Sequence, residues 1–108
     1  MKVLMVFTDG RATDGLRLAL SLASLGETEV RVFFVGEAVR YLADGGPDGP
    51  VAPELLDNLA PMDIEVRCCG TSLDAHGVQK DSLLPGSRVS TMQELAAWTL
   101  WADRVLTW

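Results

Sequence analysis

The chain has 108 residues, 48% of them apolar and 22% charged, with nine basic against fifteen acidic side chains for a formal net charge of −6. That length holds one domain, read as 1–108, and the apolar share excludes wholesale disorder and a fibrous repeat. A polyanion without a basic cluster is repelled by nucleic-acid phosphates and by anionic membranes, so neither is expected as a partner.

Lys2 to Phe7 is a continuous apolar run after one charge, the pattern of a strand buried on both faces. It is too short for a signal segment and no stretch is long enough to span a bilayer, so the expected location is the cytoplasm. Thr13 or Asp14 is the expected cap of a helix whose buried face carries Leu16, Ala19, Leu20 and Ala23, widened by Leu18, Leu22 and Leu25. Gly26 is its expected stop. Val30 to Val35 reads as a second strand, and Glu37 to Leu42 as a short helix after a turn at Gly36. The Gly- and Pro-rich run Asp44 to Pro50 reads as a surface loop, and Pro53 as the first turn of a helix reaching Leu59.

Ile64 to Cys69 alternates, which places Ile64, Val66 and Cys68 on one face of a third strand and Glu65, Arg67 and Cys69 on the other. Ser72 to His76 reads as a short helix stopped at Gly77, and Leu83 to Gly86 as a turn. Ser90 with Gln93, and Thr91 with Glu94, form two overlapping capping boxes. The helix they start runs to about Trp101, with an expected apolar face of Met92, Leu95, Ala96 and Thr99. Val105 to Trp108 is the last expected strand. Trp98, Trp101 and Trp108 are read as core fillers, a subunit interface being the other use of such rings. Strands alternating with helices imply a mostly parallel sheet covered on both faces, an α/β/α sandwich.

In such sheets ligands bind beyond the carboxyl ends of the strands. Three loops lie there: Thr8-Asp9-Gly10, Gly36-Glu37 and Cys69-Gly70-Thr71-Ser72. Cys69 ends a strand just before a helix, where partial positive charge and free N–H groups of Gly70, Thr71 and Ser72 favour a thiolate. Gly70 would let the backbone approach a bulky atom. His76 is the only histidine, one turn into that helix. Two readings of Cys69 stand side by side: a reactive, solvent-reachable thiolate, and a small buried apolar side chain. Cys68 shares the face of Ile64 and Val66 and is read as inert, and two adjacent cysteines do not form a structural disulfide. No residues have metal-ligand spacing, the loop after the first strand lacks the glycine and lysine pattern of phosphate loops, and one histidine does not supply a hydrolase site.

The stretch Cys69 to Val78, the turn Leu83 to Gly86 and the segment Ser90 to Leu106, with its Glu94-Leu95-Ala96 and Trp98-Thr99-Leu100, resemble the DsrE/DsrF-like family, in particular its small YchN-like branch. Gly15 to Leu20 and Val30 to Val39 match the first half of the same pattern. The resemblance implies a three-layer α/β/α domain of flavodoxin-like layering, assembly into homotrimers or homohexamers, and no cofactor or metal. It also implies a sulfurtransferase-like relay, in which one cysteine, here Cys69, takes sulfane sulfur as a persulfide from a donor protein and passes it to an acceptor. Gly70, Thr71, Ser72 and His76 would support the anion. Many members carry a second cysteine and an arginine where this chain has Ser72 and His76, so the implied relay uses one thiol. A non-catalytic oligomeric or small-ligand-binding protein, with a structural Cys69, is the alternative.

Overall fold

The computed structural model describes residues 1–9, 11–43, 45 and 49–108. Its strands are β1 (Lys2–Phe7), β2 (Glu29–Phe34), β3 (Glu65–Cys69), β4 (Ser87–Ser90) and β5 (Arg104–Thr107). The α-helices are α1 (Ala12–Ser24), α2 (Pro53–Asp57), α3 (Gly70–Ala75) and α4 (Met92–Trp101), with 3-10 turns over Gly36–Leu42, Ala60–Met62 and Lys80–Ser82. The strands form one sheet in the order β4-β3-β2-β1-β5, and every pairing is parallel.

That order decides which helix covers which face. The steps from β1 to β2, β3 and β4 all run in one direction, so right-handed crossovers put α1, α2 and α3 on one side. The return from β4 to β5 runs the other way and places α4 on the opposite side. The buried clusters follow this division. Val3, Met5 and Phe7, with Val30, Val32 and Phe34, and Val66 with Cys68, pack under α1 and the 36–42 turn, against Leu16, Ala19, Val39 and Leu42. Phe7 and Phe34 stack there with ring centroids 4.6 Å apart. The alternate residues Leu4, Phe33 and Cys69 point the other way and are buried with Trp98 of α4.

Local chemistry moved several expected boundaries. Arg11, not Thr13 or Asp14, is the N-cap residue of α1, and no side chain caps it. The earlier start buries Ala12, while the carbonyl of Arg11 accepts from the indole N–H of Trp108 at 2.8 Å. Gly26 does follow the C-cap residue Leu25, but the left-handed backbone falls on Glu27, at φ 64°. Leu25 itself is 62% exposed and does not widen the buried face. Gly15 sits inside α1 because a Cβ there would lie 2.3 Å from the Phe7 ring. Of the expected 44–50 loop, Asp44 and residues 46–48 lie outside the described residues, whereas Gly45 is buried with φ 97°. The second, third and fifth strands and the α2 and α3 helices lie within two residues of their expected ends.

Two expectations need correction. β4 was not expected: Ser-Arg-Val-Ser has no apolar alternation, as is common in a short, solvated edge strand. The inner face of α4 is also different. Met92 is 55% exposed, and Ala96 and Thr99 are exposed, whereas Trp98 is buried and Leu95 and Trp101 are half-buried. The segment is apolar nearly all round, so its periodicity selects no side. The choice is made by Trp98, whose ring meets Phe33 edge-on at 5.9 Å and lies 5.1 and 5.4 Å from the guanidinium groups of Arg31 and Arg67.

Candidate functional site

The carboxyl ends of β1, β2 and β3 are tied into one edge by hydrogen bonds. The N–H of Ala38, after β2, donates to the carbonyl of Thr8, after β1, at 3.1 Å. The N–H of Gly36 donates to the hydroxyl oxygen of Ser72 in α3 at 2.9 Å. All three loops expected to carry chemistry therefore meet, although Gly10 of the first lies outside the described residues.

Cys69 is both the last residue of β3 and the N-cap residue of α3, so its sulfur stands at the open first turn of that helix. Burial opposes ionisation of this thiol. Against it act the Ser72 and Thr71 hydroxyl and N–H groups at the start of α3, which favour the anion although none closes a cap hydrogen bond to the sulfur. Their polarity outweighs the burial, and the pKa lies below the ordinary thiol value. Ser72 is well suited to this task. Its oxygen already accepts from Gly36, which leaves its single proton free to point at sulfur.

Cys68 shows what the same strand does without such donors. It faces the larger cluster and is fully buried. Burial, followed by the charge on Cys69, pushes its thiol up to about 11. Its S–H donates to the carbonyl of Arg88 at 3.6 Å. Both cysteines are free.

Two expectations about Cys69 are corrected here. Thr71 and Ser72 follow Cys69 in the first turn of α3, but its sulfur makes no cap hydrogen bond to that turn. The expectation that it is open to solvent fails, because the residue is only 2% exposed. It shares a cluster with Phe33 and Leu4 of the sheet and Trp98 of α4, against which Leu95 packs. Gly70 does permit a close approach, but of β4 rather than of a ligand: a Cβ would lie 3.2 Å from Val89 Cγ1 and 3.5 Å from the Ser90 carbonyl. His76 is exposed and is the C-cap residue of α3. At about 1.5 Å per residue it stands roughly 10 Å along the axis from Cys69, so it does not join the site.

Sequence reasoning missed the residues that tie α4 to the sheet. Arg67 Nε lies 3.4 Å from a carboxylate oxygen of Glu94, and its Nη2 lies 3.3 Å from Glu65. Glu94 also accepts from the Ser90 hydroxyl. Of the two expected capping boxes, the Thr91 hydroxyl accepts the Glu94 N–H at 3.2 Å, while the Glu94 carboxylate is engaged by Ser90 and Arg67. Strand alternation already put Arg67 on the Cys69 face. Nothing local tied it to a helix 27 positions later. Among the described residues no group of His, Cys, Asp and Glu gathers as a metal site, and no helix is long and apolar enough to cross a membrane.

Comparison with known proteins agrees with this architecture. Protein YchN of Escherichia coli K12 is 33% identical over 97 residues, covering 87% of this chain and 83% of its own length. Uncharacterized protein MJ0989 of Methanocaldococcus jannaschii is 31% identical over 115 residues and 99% of both chains. The crystal structure of the E. coli ychN protein superposes with a TM-score of 0.79 and 29% identity over the full length of both chains. MTH1491 of Methanobacterium thermoautotrophicum, a protein of unknown function, shares the fold with a TM-score of 0.68 at 17% identity over 95% of each chain. The model of the DsrE/DsrF-like family matches residues 1–108, and the chain belongs to that family, within its YchN-like branch.

Proposed function

We propose that this protein is a sulfur carrier that accepts sulfane sulfur as a persulfide on Cys69 and passes it to a partner thiol. The observation that carries the reading is the position of Cys69, last residue of β3 and N-cap residue of α3, in a member of this family. In loading, the Cys69 thiolate attacks the outer sulfur of a donor persulfide. A bond forms between the two sulfurs, the donor's S–S bond breaks, and its electron pair leaves on the donor thiolate. Unloading reverses the roles, with an acceptor thiolate attacking the outer sulfur and Cys69 leaving as thiolate. No external oxidant or reductant is needed in either step. The same donors that lower the thiol pKa stabilise Cys69 as attacking group and as leaving group.

Ser72 stands where many relatives have a second cysteine, so this reading uses a single thiol and receives and delivers sulfur between proteins. Self-association as trimers or hexamers and a cytoplasmic location are part of the proposal. Leu100, 89% exposed, and Met92, 55% exposed, are the large apolar side chains that α4 leaves uncovered. An apolar strip of this kind suits a second copy of the chain.

The burial of Cys69 favours a second reading, in which the cysteine is structural and the protein is an oligomeric or small-ligand-binding member of the fold. Intact mass after incubation with a cysteine desulfurase and cysteine separates the two. The carrier reading expects a gain of one sulfur atom, lost in Cys69→Ser and kept in Cys68→Ser. A wild-type protein that never gains sulfur supports the structural cysteine.

A further inference from the structure

The carboxyl edge of the sheet carries a second feature that the thiol does not use. A cleft of about 300 Å³ lies at the start of α1, lined by Arg11 to Asp14, Tyr41 and Gly49. Among the described residues, neither Cys69 nor any part of α3 lines it.

α1 opens on this cleft without a side-chain cap. Its N-cap residue is Arg11, whose carbonyl accepts from the Gly15 N–H at 3.1 Å. The N–H groups of Ala12, Thr13 and Asp14 have no acceptor among the described residues. A helix of 13 residues gathers partial positive charge at such a turn. Water alone can satisfy an open first turn, so the turn does not by itself make a site. The side chain that shares the cleft does point to a ligand. Tyr41 is only 5% exposed, and its hydroxyl makes no hydrogen bond among the described residues. No side-chain oxygen or nitrogen among them is both sealed from solvent and unpartnered. The Tyr41 hydroxyl therefore reaches solvent, and the cleft that Tyr41 lines is its opening.

Asp14 selects the kind of ligand. It lines the same cleft, is exposed, and forms no ion pair among the described residues. Its carboxylate repels a phosphate dianion and attracts an ammonium group. The N–H groups and the phenol hydroxyl are donors suited to a carboxylate. The volume is at the small end of ligand pockets. A small molecule with a carboxylate next to an ammonium meets all of these conditions.

We propose that this cleft binds a free α-amino acid, its carboxylate held by the first-turn N–H groups of α1 and the Tyr41 hydroxyl, and its ammonium by Asp14. The two charges of the ligand sit on one carbon, as the donors and the Asp14 side chain sit on one helical turn. The site is independent of the carrier reading and stands whether or not Cys69 takes sulfur.

The test is an amide NMR titration of the isotope-labelled full-length chain, read at Ala12, Thr13 and Asp14. The probes are L-alanine, L-serine, L-leucine and L-glutamate at millimolar concentrations, with N-acetyl-L-alanine and inorganic phosphate as comparisons. At least one of the amino acids should move these amides saturably. Tyr41→Phe, which keeps the ring, should weaken that binding about tenfold or more, the loss of one hydrogen bond to a charged group. Asp14→Asn should weaken it too, yet leave the already weaker binding of N-acetyl-L-alanine, which has no ammonium, no weaker than before. The spectrum itself reports that each variant is folded. Amides that none of the four amino acids moves saturably overturn the site. So does binding that Tyr41→Phe leaves unchanged, or phosphate binding as tight as the best amino acid, which would make the turn a general anion site. Loading of sulfur on Cys69 bears on the carrier reading alone.

Discussion

The two faces of the sheet were built from the same strands to different ends. Under α1, α2 and α3, Phe7, Phe34, Leu16 and Leu42 are fully buried and surrounded by apolar side chains. Under α4, a cluster of Leu4, Phe33, Cys69 and Trp98 is finished by charged side chains, with Arg31 and Arg67 against the tryptophans and Glu94 closing the edge. The first face holds most of the buried apolar side chains. The second holds the ionisable sulfur in a small cluster with Leu4, Phe33 and Trp98. Cys68 and Cys69 are adjacent in sequence, yet the pleat sends one into each environment, and their acidities separate accordingly.

The largest effect that would sharpen this contrast is Phe34→Ala. It deletes a fully buried ring stacked on Phe7 and should cost about 4–5 kcal/mol in urea unfolding. Trp98→Ala should cost less, about 3 kcal/mol, because its ring is held largely by Phe33 and two guanidinium groups. It should also speed alkylation of Cys69, which Phe34→Ala should not do while the protein stays folded. Equal losses of stability from the two substitutions would break the comparison.

Smaller effects probe the thiols themselves. Ser72→Ala removes a hydroxyl that favours the anion and should raise the midpoint of Cys69 alkylation against pH. An unchanged midpoint would mean that the N–H groups alone set it. Cys68 predicts the opposite pH response. Its folded pKa is raised, so the stability it contributes is present below its unfolded value of about 9 and is lost as pH rises toward about 11. Unfolding curves of wild type and Cys68→Ala should therefore converge over that alkaline range. Thr91→Ala removes the one side-chain cap of α4 and should cost about 1 kcal/mol in urea unfolding.

The central strands were legible because a strand buried on both faces needs an unbroken apolar run, as in Val3 to Phe7. β4 was not, because an edge strand with two serines and an arginine looks like a loop until its partner is known. Cys69 as the junction of strand and helix was readable from its neighbours, since it depends only on local chain direction. Its exposure depended on where α4 lands. That is a contact between residues about 30 positions apart, selected by the indole of Trp98 finding Phe33 and Arg31. His76 was misjudged for a simpler reason: α3 starts at Gly70, which moves the imidazole to the far end of the helix.

The most direct test is the pH profile of Cys69 alkylation in folded Cys68→Ala protein. A single titration step with a midpoint below that of an ordinary thiol is the predicted result. A midpoint at or above the ordinary value would mean that burial outweighs the Thr71 and Ser72 donors, and the sulfur would then be held as a neutral thiol.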